Sequence, residues 1–457
     1  MGNDTEISGV AATATTADQA TVDGSSVVIE QDPSAAPPDG GYGWVCVGCV
    51  FFLNACTWGI AATYGVFLTH YLRTPTTTNG TGTGRVEVEV GVGIGGTPLD
   101  YAFIGGLQFG CALSLATPIT IATRRYGIHI PMLFGTVVQT AGYALASYAR
   151  ATWQLYLTQG ALVGAGIGCA YLPSAAVTSQ WFAARRSLAN GVVSAGSGVG
   201  GIAFSFASAR VIETAGTAWA LRMLAIVSGG VNLVAIALIR GRNKAVHARI
   251  RGFDAALLRR ENVVLLLAWA FASMLGYMTL LYSLSAFGRD VLGLGDGRAA
   301  AVTAFLNLGT AVGRPALGWA SDRFGRVEVA GVATAACAVL VFAVWVPAAS
   351  YGVLVFFAVV SGSILGVLWM TISPLCVEVA GLKDLNSMLS LAWATTVLPC
   401  TFSEVIALKI RRPGAERPYL YPQIYSGVAY AVAAAIMFRL WQVQRRKDSA
   451  SCRCSVV

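Results

Sequence analysis

Charge is scarce in this chain: 12% of its 457 residues are Asp, Glu, Lys or Arg, about half the roughly 25% of ordinary soluble domains. That shortage all but excludes a water-soluble enzyme or a nucleic-acid-binding module. Lysine is rarest, confined to Lys244, Lys383, Lys409 and Lys447. None follows a glycine, so there is no Walker A loop to support ATP-driven pumping. Histidine occurs only at His70, His129 and His247. With those three scattered and Cys46-x-x-Cys49 on an apolar run, no metal-ligand set forms and no cofactor is expected. The first 38 residues contain acids but neither a basic residue nor an apolar run, so they lack the parts of a signal peptide. Residues 1–40 read as a disordered acidic tail.

What the chain does have is apolar length. Hydrophobic residues make up 55% of it, and about 20 apolar residues span a bilayer as a helix. Twelve such stretches follow Gly43: 43–68, 101–122, 128–149, 153–174, 188–209, 219–239, 262–287, 299–319, 329–347, 351–376, 386–408 and 419–441. Only four charged side chains fall within them, Arg222, Arg314, Glu404 and Arg439. The pattern predicts an all-α membrane protein of twelve transmembrane helices in two six-helix bundles, 41–240 and 262–441. A basic connection, 241–261, separates them, and a tail, 442–457, follows. The halves echo each other: Arg125-Tyr126-Gly127 and Arg323-Phe324-Gly325 lie 198 residues apart, and Pro173 and Pro374 lie 201 apart. Such offsets suggest a duplicated six-helix unit.

Lys and Arg counts in the connections set orientation. With the amino terminus inside, inner segments hold 18 and outer loops nine, which predicts two cytoplasmic termini; the plasma membrane is the expected location. Asn79-Gly80-Thr81 is then a glycosylation sequon in an outer loop.

Two motifs stand out. Asp39-Gly40-Gly41-Tyr42-Gly43-Trp44 marks where the tail enters the first helix, with glycines for a tight turn and aromatics for the membrane interface. Before the fifth span runs Trp181-Phe182-Ala183-Ala184-Arg185-Arg186-Ser187-Leu188, and the span itself carries Gly196 and Gly200, a small-xxx-small pair that lets helices approach closely. Together they resemble the two signatures of the monocarboxylate-porter family within the major facilitator superfamily, and the details look closest to its fungal branch. The first motif matches at every position. The second departs at Trp181, where the family has Tyr, and at Ala184, where a basic residue is common. A third motif, Gly318-Trp319-Ala320-Ser321-Asp322-Arg323-Phe324-Gly325-Arg326, resembles the superfamily's inner-loop motif. That resemblance implies a gating role for Asp322, Arg323 and Arg326, facing Arg185 and Arg186.

The resemblance implies a major facilitator transporter that moves a small organic anion or carboxylate-bearing metabolite by alternating access. Export of a fungal secondary metabolite is the first alternative. A non-transporting sensor on the same scaffold is the second, though such proteins carry longer signalling tails. Family members that carry protons with lactate-like acids use a lysine in the first helix and an acid four residues before the arginine of the eighth. Here those positions hold Ala62 and Thr310, and only Arg314 remains. The expected partners are therefore a small-molecule substrate and the lipid bilayer. Arg314, Arg222 and Glu404 are candidates for the substrate pathway, and Glu404 is the one acid at membrane depth able to take a coupling proton.

Overall fold

The computed structural model of the chain describes residues 37–73, 98–242, 254–412 and 414–454. Most of the amino-terminal tail, the loop bearing Asn79 and the bulk of the basic connection lie outside the described residues. The regular structure of the described residues is helical, with no strand among them. Twelve long helices run in the order expected. In the first half these are α1 (Tyr42–Phe67), α2 (Leu99–Ser114 and Ala116–Tyr126, bent by 42° between the two), α3 (His129–Ala146), α4 (Thr152–Trp181), α5 (Arg186–Ala215) and α6 (Thr217–Leu238). The second half holds α7 (Glu261–Asp290), α8 (Asp296–Phe324), α9 (Arg326–Trp345), α10 (Tyr351–Ala380), α11 (Leu385–Ile410) and α12 (Leu420–Arg446).

Nine of these helices, counted among the described residues, are long and apolar enough to cross a membrane, and the bent α2 makes ten. The other two are long enough, at 18 residues for α3 and 29 for α8, but more polar. Helix α8 carries Arg298, Arg314, Asp322 and Arg323, which dilute its apolar composition. The echoed triplets end their helices alike: Gly127 and Gly325 follow α2 and α8 at φ 79° and 103°, a left-handed conformation that glycine adopts without a Cβ penalty.

One boundary differs from the sequence expectation. The helix containing α12 continues to Cys454, so residues 442–454 of the expected tail are helical and continuous with α12. Good helix formers continue the pattern there. Arg445 also stacks over Trp441 one turn earlier, 4.3 Å from the ring centroid, and basic residues suit a helix carboxyl end.

Glycine sets how closely the helices approach. A Cβ on Gly196 or Gly200 would strike the backbone carbonyls of Phe51 or Ala55 on α1. On another face of α5, a Cβ on Gly191 or Gly198 would strike the α8 backbone at Arg314 or Asn307, and Gly318 of α8 approaches Ser187 in return. Helix α5 is thus packed backbone-to-backbone against one helix of its own half and one of the other. The second cross-half pair is α2 with α11, where Gly106 and Gly110 abut Thr401.

Candidate functional site

The two signatures, about 140 residues apart in sequence, meet. The Asp39 Oδ1 accepts hydrogen bonds from the Ala183 and Ala184 amides at 2.7 and 2.9 Å, and the Asp39 amide donates to the Trp181 carbonyl at 3.0 Å. Trp44 meets Phe182 edge-on at 4.9 Å between centroids. A Cβ on Gly43 would press on Trp181 and Phe182, which accounts for a glycine between two aromatic residues. Tyr42 donates to the Leu238 carbonyl at 2.7 Å, and Arg240 lies 4.4 Å over its ring. Gly40 and Gly41 form the bend that brings Asp39 back, with Gly41 at φ 60°.

The same connection is held from the other half. Asp322 accepts the Ser187 amide on Oδ1 at 2.9 Å and the Leu188 amide on Oδ2 at 2.8 Å. These are among the first amides of α5, which have no partner within their own helix, so Asp322 caps α5 from across the halves and places negative charge at its positive end. Arg326 lies 3.6 Å from the Asp322 carboxylate and donates to the Ala183 carbonyl at 2.9 Å. Arg186, only 6% exposed, braces the connection from within by donating to the Phe182 and Ser179 carbonyls at 2.9 and 3.3 Å. Two expected members stand outside this clamp. Arg323 is exposed and stacks on Trp319 and Phe324 of its own helix, and Arg185 is exposed at the α5 cap.

The position matching Asp322 in the first half, 198 residues earlier, is Arg124. A cation cannot cap a helix amino terminus, so Arg124 cannot do for α11 what Asp322 does for α5. On α11, Ser390 meets Thr117 at 3.3 Å. Beside them is a cavity of about 20 Å³ lined by Thr120, Thr123, Asn386, Ser390 and Trp393, room for one water.

The two carboxylates differ in a testable way. Asp39 uses one oxygen for both amides, which an Asn Oδ1 can reproduce, and Asn tolerates its φ of 51°. Asp39→Asn should leave amide exchange at Ala183 and Ala184 nearly unchanged, whereas Asp39→Ala should speed it about tenfold, the loss of roughly one cap. Equal exchange in the two variants, read by hydrogen–deuterium exchange, would show that Asp39 does not hold the connection.

About two-thirds of the way along α8 lies Arg314, 4% exposed. Its Nη1 is 2.9 Å from the Ser194 carbonyl, from Ser194 Oγ and from Ser197 Oγ, all on α5. Gly366 of α10 makes room for the guanidinium, because a Cβ there would overlap it. Tyr277 and Tyr171 are its aromatic neighbours. No carboxylate among the described residues pairs with it, and its Nε has no acceptor among them. Thr310, where the porter family has an acid, bonds instead to the Leu306 and Gly362 carbonyls at 3.1 and 3.2 Å.

The other two charged candidates lie elsewhere. Arg222 sits one turn into α6, bonded to Ser147 Oγ at 3.2 Å and stacked on the exposed rings of Tyr148 and Trp219. It shares no partner with Arg314, and both of its ring contacts are exposed. Glu404 accepts from Ser283 Oγ at 3.2 and 3.3 Å, joining α11 to α7. Lys409 does not pair with it. The nearby Arg411 bonds to Asp290 at 3.0 Å and to Tyr419.

Sequence reasoning missed the acceptors of Arg314, Ser194 and Ser197, and six rings at the same depth. A signal existed for the rings. Trp58, Trp369 and Trp393 lie well inside their helices, whereas membrane tryptophans concentrate at the interfaces.

Twelve helices in two sets of six, clamped to each other at one end and meeting over a buried cation, define a multi-pass membrane transporter. The chain belongs to the Major Facilitator Superfamily, whose profile matches residues 45–403. It is similar to the probable transporter MCH2 of Saccharomyces cerevisiae, at 32% identity over 86% of this chain and 81% of that protein. It is also similar to the fujikurins efflux protein of Gibberella fujikuroi, at 26% identity over 88% and 83%. A crystal structure of the E. coli fucose:proton symporter FucP shares the fold, with a TM-score of 0.63 over 87% of this chain and 98% of that one at 12% identity.

Proposed function

We propose that this transporter moves a small organic anion or carboxylate-bearing metabolite across the plasma membrane by alternating access, with both termini cytoplasmic. The observation that carries the reading is Arg314. A buried charge is ordinarily paired with an opposite one, and an arginine within a membrane helix ordinarily faces a cavity or a partner. Here the partners are neutral, Ser194 and Ser197 of α5 and the Tyr277 hydroxyl; no acid answers the charge among the described residues, and Nε has no acceptor among them. A carboxylate arriving between the halves supplies the missing acceptor. It also competes for the guanidinium that now ties α8 to α5, so binding loosens that tie.

In this reading the clamp built from Asp39, Arg186, Asp322 and Arg326 is the cytoplasmic gate. Arg323 and Arg185 play no direct part in it, and Arg222 is left out of the substrate pathway. Glu404 with Ser283 is the candidate acceptor of a coupling proton. Export of a secondary metabolite is the second reading, favoured by the similarity to the fujikurins efflux protein.

Comparing carboxylic acids inside and outside cells with and without the gene tests both readings. Import predicts depletion of an acid from the medium, and export predicts its accumulation there. If no acid changes on either side, the anion reading falls. Tags fused to the two ends should resist external protease in intact cells, and cleavage of either tag would reverse the orientation.

A further inference from the structure

Six aromatic rings, three from each half, converge beside Arg314. Trp58 of α1 meets Phe109 of α2 at 4.9 Å between centroids and Tyr171 of α4 at 6.0 Å. Trp369 of α10 lies between Trp58 at 5.4 Å and Trp393 of α11 at 5.5 Å, stacked on Trp393 at 21°, and reaches Tyr277 of α7 at 6.3 Å. Tyr171 and Tyr277 are in turn the neighbours of Arg314. The ring column and the cation therefore form one site, and the halves meet across it.

Three N–H donors in this site have no acceptor among the described residues: Trp58 Nε1, Trp393 Nε1 and Arg314 Nε. Their side chains are 7%, 3% and 4% exposed. Buried donors are nearly always satisfied, so three open ones around a single cluster need an explanation. Trp393 also lines the cavity of about 20 Å³ between α2 and α11. Helix α1 widens into a π-helical turn at Ala55–Gly59, the turn that carries Trp58, and such turns recur at functional sites.

We propose that the transported anion has a planar aromatic or conjugated body. That body stacks in the Trp58–Trp369–Trp393 column with the carboxylate on Arg314, while further acceptor oxygens take the open indole N–H groups. The proposal rests on the reading of Arg314 as the anion contact and deepens it. A two- or three-carbon acid would satisfy the cation but leave most of the ring faces uncovered. Aromatic faces also attract cations, but Arg314 beside them repels a positive ligand, and all three open groups are donors. A flat, acceptor-rich anion answers each of these features together. The rings now fill the column, so the ligand enters it as the halves part.

The test is calorimetric titration of the full chain in lipid nanodiscs with three probes: 1-naphthoate, its saturated counterpart decalin-1-carboxylate, and the neutral 1-naphthamide. Simple apolar burial favours the saturated acid, whereas stacking between two rings favours naphthoate, here by about tenfold. Trp369→Leu should bring naphthoate down to the affinity of the saturated acid. Trp393→Phe, which keeps a ring and loses the donor, should weaken naphthoate less. If the two acids bind equally in the wild-type protein and both are lost in Arg314→Gln, the aromatic proposal is overturned and the anion reading stands. If naphthoate and naphthamide bind equally and neither responds to Arg314→Gln, the anion reading is overturned. Binding of neither acid overturns the proposal outright, and the wild-type titrations decide this even where a variant fails to fold.

Discussion

Arg314→Gln is expected to abolish transport while leaving the protein folded and at normal level in the membrane. Placing an arginine at the centre of a membrane helix costs about 2.5–3.5 kcal/mol on insertion scales, and hydrogen bonds to a charged group return roughly 1.5–3 kcal/mol each. The serines on α5 therefore offset the cost of the charge, and a neutral Gln removes cost and compensation together. Stability should change little. Function should not survive, because an incoming carboxylate then meets no cation beside the aromatic rings, Arg186 and Arg326 being engaged in the clamp at the end of the helices. Arg314→Lys separates charge from shape. The ammonium keeps the attraction but loses the planar fork that can hold Ser194, Ser197 and a carboxylate at once. Partial transport is expected, with apparent affinity weakened about tenfold, the equivalent of one hydrogen bond. Uptake or efflux assays beside surface quantification decide the matter. Normal transport by both variants would make Arg314 only a tie between α5 and α8.

The second large effect is expected at Asp322. Its two oxygens each take one α5 amide, so Asn keeps only one of the two bonds and turns an NH₂ toward the other amide. Asp322→Asn should therefore hurt where Asp39→Asn does not. Loss of a helix cap costs about 0.5–2 kcal/mol and loss of charge at a helix amino end about 0.3–1 kcal/mol. A net change of about 1–2 kcal/mol shifts the balance between closed and open forms of the proposed gate by a factor of about 5–30. Two readouts should move together: faster exchange of the Ser187 and Leu188 amides, and slower net transport at unchanged membrane level. Arg323→Gln is the internal control, because Arg323 is exposed and its contacts among the described residues are with Trp319 and Phe324 of its own helix. If Asp322→Asn exchanges and transports like the wild type, the motif is a plain turn.

The helices were legible in the sequence because a bilayer imposes a local rule: a span must be about 20 residues long and nearly uncharged, which any window of chain either meets or fails. Twelve runs were read that way, and twelve long helices stand at those places, although α3 and α8 are more polar than the rule asks; the largest departure is at the carboxyl end, where helix propensity outlasted the apolar pattern. Individual residues such as Asp39, Gly200, Asp322 and Arg314 were also visible, as acids or cations beside or within apolar runs and as glycines in a repeat. Their partners were not. Asp39 and Ala183 are 144 residues apart, and Arg314 and Ser194 are 120 apart. Such pairings depend on which helix faces meet, a property of packing that no local window contains. Arg323 and Arg326 are a single turn apart in the same motif, and only the direction each side chain takes from the α8–α9 corner separates the surface residue from the one that crosses to Ala183. Arg222 and Arg314 look equivalent as charges inside apolar runs. One lies a turn from a helix end, beside rings at the surface, and the other lies well inside its helix against α5. That difference, set by where each helix packs, decided which of them stands between the two halves.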